Sequence, residues 1–274
     1  MSRSTLRQHF ILIATQVVAF GLAIGCATRA VPTPPEERVA TTTRQSGDLR
    51  ETREAWIEAF PGVRLNKETR EVELDGEVAI NAHNADTPIV YIEAFVCIPD
   101  SKEHESLIVT KAKPSHVHAA LLALGYAPGK PGHWTAAPDG RAPAPVNATG
   151  DEVRVTLLLD SHTDSVSATP PHEWLKHFSA DSRLVPPIGR PAFVFAGSRL
   201  IERSGRSIYD ADFAGVLVGL HTFGGEVIAW GTTLSPWASV EEPEWIADAA
   251  RVPKQGTPVR VRIGPASGSP SASP

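Results

Sequence analysis

The densest cluster of side chains that could do chemistry lies in the stretch CIPDSKEHES, between Cys97 and Ser106. If residues 99–102 form a four-residue turn between antiparallel strands, Cys97 lies opposite His104, within about 5.5 Å at Cβ. A thiol beside an imidazole suits a thiolate stabilised by imidazolium, or two ligands of a soft metal ion. The candidate functional cluster comprises Cys97, Lys102, Glu103, His104, Glu105 and Ser106.

A structural interpretation competes with this chemical one, namely a buried cysteine near a surface histidine. A metal ion needs three or four ligands, and alternation along a strand places Glu103 and Glu105 on the face opposite His104. His116 and His118 lie about 200° apart around a helix and cannot bind one ion together. We therefore predict no catalytic residue and no cofactor, and metal or thiol chemistry stays open as the alternative.

Two further groups of polar residues are weaker candidates. Asp210 and Asp212 would share one face of a strand, where two carboxylates could ligate calcium or share a proton, although a solvated or turn-capping pair is the alternative. Lys113 precedes Ser115, the predicted N-cap of a helix, and could draw an anion to that helix N-terminus. The sequence contains no GxSxG motif, Walker loop, HExxH motif or dinucleotide fingerprint, so an enzymatic activity is not indicated.

Composition excludes several classes of function. The net charge of −5 offers no broad cationic surface for phosphate backbones, so we expect no nucleic-acid partner. The two cysteines, Cys26 and Cys97, cannot build a disulfide framework, a four-thiolate zinc site or an iron–sulfur cluster.

The N-terminus has the layout of an export signal. Arg3 and Arg7 precede an apolar run over residues 10–24, which is shorter than the roughly 18 to 20 residues of a membrane-spanning helix. Residues 23–26, AIGC, resemble the bacterial lipobox, which implies that the sulfur of Cys26 carries a diacylglyceryl group and anchors the chain to a membrane of the cell envelope. An ordinary cleaved signal and an uncleaved anchor are the alternatives.

The rest of the chain is predicted to form one α+β domain, strand-rich, with antiparallel hairpins and two or three helices. Alternating apolar residues predict strands from residue 63 onward, with turns at residues 75–76 and 224–225 and the strongest strand at residues 89–97. A helix is predicted from Ser115 to Gly125, and a shorter one at residues 171–178. The predicted segments are a signal peptide at 1–25, a flexible tether at 26–51, the domain at 52–250 and a disordered Pro/Ser-rich tail at 251–274.

Several of these motifs together resemble the YdjY-type domain of bacterial exported proteins, over about residues 60–235. The matching stretches are Cys97, residues 102–107, residues 113–125, residues 196–198 and residues 209–215. The resemblance implies an exported domain but no particular activity. We expect a non-catalytic lipoprotein that binds another envelope component. The alternative is an extracytoplasmic thiol- or metal-dependent enzyme, or a metal carrier, centred on Cys97 and His104.

Overall fold

The computed structural model describes residues 55–84, 86, 88–135, 143–160 and 165–266. The predicted signal peptide, Cys26 and the predicted tether lie outside these residues. The strands are β1 Trp56–Phe60, β2 Val63–Asn66, β3 Glu71–Val78, β4 Ala94–Cys97, β5 Ser106–Thr110, β6 Pro128–Lys130, β7 His133–Thr135, β8 Ala144–Val146, β9 Thr149–Gly150, β10 Glu152–Asp160, β11 Val166–Thr169, β12 Leu175–His177, β13 Phe193–Phe195, β14 Leu200–Arg203, β15 Arg206–Tyr209, β16 Val216–Gly219, β17 Ile228–Trp230, β18 Trp245–Ala247 and β19 Pro258–Pro265. The helices are α1 Pro114–Ala123 and α2 Asp210–Ala214, with 3-10 turns η1 Glu103–Glu105 and η2 Pro171–Trp174.

Eight strands form a closed barrel, in the order β3, β19, β10, β13, β17, β16, β4 and β5. Pairing of β5 with β3 closes it, while β1 and β2 extend from β3, and β11 extends from β10. The predicted α+β class is therefore wrong. The described part of the chain is mostly β, with two α-helices, because short strands that looked like separate hairpins join one continuous sheet.

Gly76 lies where the barrel closes. The predicted turn at residues 75–76 is wrong, because β3 runs straight through both residues. A Cβ atom on Gly76 would come within 2.8 Å of Ile108 Cγ2 and 3.0 Å of the Val109 carbonyl oxygen on β5. A glycine inside this strand therefore permits a close approach between strands rather than a turn.

Strand β19 shows that the predicted disordered tail at residues 251–274 is wrong over residues 258–265. It pairs antiparallel with β3 on one side and β10 on the other. Val259, Val261 and Ile263 are buried in the core, with the intervening arginines on the other face, as the two-residue period of a strand requires. Arg262 hydrogen-bonds Glu73 of β3 at 2.7 Å.

Two predicted antiparallel hairpins are parallel pairs. Cys97 of β4 is in register with Val109 of β5, and Val218 of β16 is in register with Ile228 of β17. The connections between these strands are therefore crossovers rather than hairpin turns. Each one carries the chain back to the end at which the preceding strand began, and they comprise residues 98–105 and residues 220–227. These two crossovers carry most of the polar residues considered below.

The predicted helices have mixed outcomes. Helix α1 is confirmed, and Gly125 adopts the left-handed conformation (φ 80°) expected after its end. The predicted helix at residues 171–178 is wrong, because only the short turn η2 forms before β12, which pairs with β18. None of the helices in the described ranges is long and apolar enough to cross a membrane.

Candidate functional site

A cleft of about 340 Å³ opens beside the starting ends of β4 and β5. Its apolar lining residues are Ile89, Val90, Tyr91, Pro236, Ala238 and Pro243. Its polar lining residues are Glu93, His104, Glu105, His221, Ser235 and Glu241. A concave surface with apolar walls and a few convergent polar groups is the usual form of a ligand site.

The backbone of the barrel brings three of the polar residues together. Ala94 and Ser106 are in register, so the residues just before them, Glu93 and Glu105, lie side by side. The Glu93 N–H donates to the Glu105 carbonyl at 2.8 Å. The His221 N–H donates to the Glu93 carbonyl at 2.9 Å. The three side chains are therefore placed by sheet hydrogen bonds rather than by a loose loop.

Lys102 joins the two carboxyl groups from the first crossover. Its Nζ lies 2.5 Å from Glu93 Oε2 and 3.1 Å from Glu105 Oε2, and 4.7 Å from the centre of the Phe223 ring. Burial alone would lower the pKa of Lys102, but the hydrogen bonds to both glutamates outweigh that effect and the pKa is raised. The ammonium therefore stays charged and compensates one of the two carboxylates.

The two glutamates have pKa values that move in opposite directions. Burial raises the pKa of Glu93, and its hydrogen bond with Glu105 adds to the rise. Burial also acts to raise the pKa of Glu105, but hydrogen bonds from Glu93 and Lys102 outweigh it and the pKa is lowered. The pKa values of these two neighbouring carboxyls are therefore separated, so that Glu93 takes up a proton before Glu105 as the pH falls.

His221 is the deepest titratable group of the cleft. Only 5 % of the residue is exposed, and its Nδ1 is buried without a hydrogen-bond partner. Burial, with a further contribution from the positive charge of Lys102, lowers the pKa of His221 to about 4. The imidazole is therefore neutral at pH 7 and keeps an unused hydrogen-bonding position.

The structure does not bring Cys97 and His104 together. The predicted cross-strand pair is wrong because β4 and β5 are parallel, so Cys97 is completely buried beside Val109. The His104 side chain is 73 % exposed, with its Nε2 3.5 Å from Glu105 Oε1. Burial raises the pKa of the Cys97 thiol, which is opposite to the shift expected for a reactive thiolate.

The other members of the predicted cluster shape the crossover. The Glu103 carboxylate accepts hydrogen bonds from the N–H groups of Asp100 and Ser101, which holds the turn in place. Ser106 Oγ donates to the Lys102 carbonyl at 2.7 Å. In the described part of the chain, no group of three or more His, Cys, Asp or Glu residues is placed to hold a metal ion.

The weaker candidates form a different contact, at the N-terminus of α1. Lys113 rather than Ser115 is the N-cap, and the Ser115 N–H donates to Asp212 Oδ1 at 2.8 Å. Lys113 Nζ lies 3.2 Å from Asp212 Oδ2, so this carboxylate occupies the position predicted for an external anion. Asp210 instead binds Arg199 at 2.8 Å. The shared strand face predicted for the two aspartates is wrong, because both lie on α2.

Residues that carried the family resemblance support the second crossover. Ser198 Oγ donates to the Gly225 carbonyl and accepts from the Ala211 N–H, which ties residues 220–227 to α2. Sequence reasoning missed His221, and no local signal marks it, because it follows an ordinary apolar strand. Its role becomes visible only when the sheet places it beside Glu93.

Comparison with known proteins assigns the family. The family model described as the YdjY domain matches residues 63–264, which is well over half of the chain and spans the barrel and the cleft. Searches of curated proteins and of solved structures find no significant match. The chain belongs to the YdjY domain family.

Proposed function

We propose that the chain is an exported, membrane-anchored lipoprotein whose YdjY domain is a non-catalytic binding module, with its ligand site in the cleft. The observation that carries the binding site is the buried and unpartnered Nδ1 of His221, a residue that lines the cleft together with Glu93, Glu105 and Glu241. A ligand that supplies a hydrogen bond there relieves the cost of burying that nitrogen unpaired, which is about 1 to 3 kcal/mol.

The hydrogen bonds of the cleft favour binding over catalysis. Lys102 engages both Glu93 and Glu105, so each carboxylate is already in an ion pair, although one lysine neutralises only one of the two charges. Ser235 Oγ donates to the Trp237 carbonyl and accepts from the Trp237 N–H, so backbone groups engage this hydroxyl on both sides. The alternative thiol or metal site loses its support with the separation of Cys97 from His104.

A fragment screen tests the cleft in the full-length protein in detergent, with binding followed by TROSY NMR. We expect fragments to shift the resonances of residues around His221. Ala238→Trp places a large ring in the lining and should abolish these shifts, whereas Ser239→Trp adds the same ring at the next residue, outside the lining, and should not. Fragments that bind only elsewhere, or that bind the Ala238→Trp variant equally well, would overturn the assignment of the site.

The anchoring part of the proposal rests on the lipobox-like sequence that ends at Cys26. Two or more acyl chains, at about 0.8 kcal/mol per buried CH₂, hold a protein on a membrane firmly. The proposed location is therefore the bacterial envelope, facing the periplasm or the cell surface, with another envelope component as the bound partner. Cys26→Ser should release the protein into the soluble fraction or leave it unprocessed, and unchanged fractionation and mobility would contradict the lipid anchor.

A further inference from the structure

The charges around the cleft indicate the class of ligand that it takes. Three carboxyl groups line it, from Glu93, Glu105 and Glu241, and no lysine or arginine is among the described lining residues. Lys102, which is not among the lining residues, compensates one negative charge. At least one carboxylate is then left without a counterion, so the cleft is complementary to a cation and repels an anion.

Glu241 is held in position for such a contact. Its Oε2 accepts a hydrogen bond from the Ser235 N–H at 2.8 Å, which fixes the carboxylate against the loop that follows β17. The second oxygen of the carboxylate keeps its acceptor capacity. A carboxylate that is already oriented loses less side-chain entropy when it binds a cation.

His221 supplies independent evidence for a ligand with hydrogen-bond donors. Its imidazole is neutral and 95 % buried, since 5 % of the residue is exposed, and Nδ1 has no partner. The unprotonated nitrogen of a neutral imidazole accepts a hydrogen bond, which an ammonium group donates. His221 and the three glutamates thus line the same cleft.

The apolar residues of the lining suit an apolar group. Tyr91 is held edge-on against Phe178, with ring centres 5.6 Å apart, and Ile89 is 63 % exposed beside it. Pro236 and Pro243 complete a wall with little conformational freedom. An aromatic ring at this position also attracts cations.

We propose that the cleft binds an organic ammonium ion attached to a small apolar group. The ammonium donates to the carboxylates of Glu105 and Glu241, and the apolar group lies against Tyr91 and the two prolines. This inference rests on the proposed function, because it names the ligand class of the same cleft.

Three probes of similar size and different charge test the inference, namely benzylammonium, benzyl alcohol and benzoate. Dissociation constants are measured by calorimetry on the full-length protein at low salt, and NMR verifies that binding occurs in the cleft. Because charge-assisted hydrogen bonds are worth about 1.5 to 3 kcal/mol, we expect benzylammonium to bind at least about tenfold more tightly than benzyl alcohol, with benzoate weakest. The preference for the cation should decrease as salt is added.

Glu241→Gln provides the matched variant, because it keeps the shape of the side chain and removes one charge from the lining. It should reduce the preference for benzylammonium over benzyl alcohol by about tenfold. Glu242→Gln removes the same charge at the next residue, outside the lining, and should leave the preference nearly unchanged. Both residues are exposed, so neither substitution should affect folding.

Equal binding of benzyl alcohol or benzoate in the cleft would overturn the ammonium inference while leaving the binding module in place. Failure of all three probes to enter the cleft would also overturn it. In that case the fragment screen with Ala238→Trp decides the proposed function separately, because it does not depend on the charge of the ligand.

Discussion

Lys102→Met removes the cation that Glu93 and Glu105 share and keeps most of the length of the side chain. The lost contacts are two ion pairs at 2.5 and 3.1 Å, among side chains that are between 21 % and 29 % exposed. Charge-assisted hydrogen bonds contribute about 1.5 to 3 kcal/mol each, and partial exposure reduces this. We expect a loss of about 2 to 3 kcal/mol in the free energy of unfolding at pH 7, measured by urea denaturation.

The dependence of this loss on pH follows from the pKa shifts. Lys102 has a raised pKa, so its stabilising contribution is complete below the unfolded value of 10.5 and disappears as pH rises through the folded value. Glu105 has a lowered pKa, so its contribution is present above the unfolded value of 4.5 and disappears as pH falls through the folded value. The difference between wild type and Lys102→Met should therefore be largest between these two values and should shrink in acid.

Lys113→Met is the control, because it also removes a lysine paired with a carboxylate. Its side chain is 56 % exposed and lies 3.2 Å from Asp212 Oδ2, so the expected loss is below about 1 kcal/mol. An equal loss in both variants, or a loss in Lys102→Met that does not change between neutral and acidic pH, would refute the reasoning.

Three further predictions concern the barrel and its buried groups. A stop after Val252 removes β19, which pairs with β3 and β10 at six positions each, and should abolish cooperative unfolding in circular dichroism. A stop after Ala266 is the control and should leave the melting curve unchanged. A native-like melting curve of the chain that ends at Val252 would contradict the prediction. Cys97→Ala should lower the free energy of unfolding by about 1 kcal/mol, because it removes a sulfur contact and leaves a small cavity. In the folded wild type the Cys97 thiol should alkylate slowly near neutral pH, and His104→Ala should not change that rate. Burial raises the pKa of Glu226, so the folded state retains a proton that the unfolded state releases, and the wild type should lose stability as pH rises from 4.5 through the folded value. Glu226→Gln should not show this loss when stability is measured by urea denaturation. Identical pH profiles of the two proteins would contradict the prediction.

Local patterns predicted some elements correctly because the interactions that form them are local. Val117, Ala120 and Leu121 repeat at helical spacing and are buried on one face of α1, and Gly125 supplies the left-handed residue after the helix. The start of α1 was predicted less well. Its capping carboxylate comes from Asp212, almost a hundred residues further along the chain.

The direction of strand pairing could not be predicted from the same patterns. A short apolar run does not state which strand it pairs with or in which direction, so Cys97 and Val109 alone carry no sign that their strands run the same way. Compositional bias near the C-terminus likewise concealed β19, whose Val259 and Val261 are ordinary strand residues followed by a Gly/Pro/Ser-rich sequence.

The candidate site was predicted only in part for the same reason. Lys102, His104 and Glu105 belong to one sequence cluster and do lie at or beside the cleft. Glu93 and His221 lie next to them only because β4 pairs with both β5 and β16, which a sequence pattern does not reveal. The chemistry predicted for Cys97 failed because it depended on an assumed hairpin.

The position of β19 also has a consequence for the timing of folding. The barrel stays open between β3 and β10 until the last strand of the domain arrives, so its core cannot be completed while residues near 265 are still being synthesised. Contacts between strands so distant in sequence also form slowly. If the chain is exported unfolded, late closure would keep it competent for transport, and the barrel would be completed only after the whole domain has crossed the membrane.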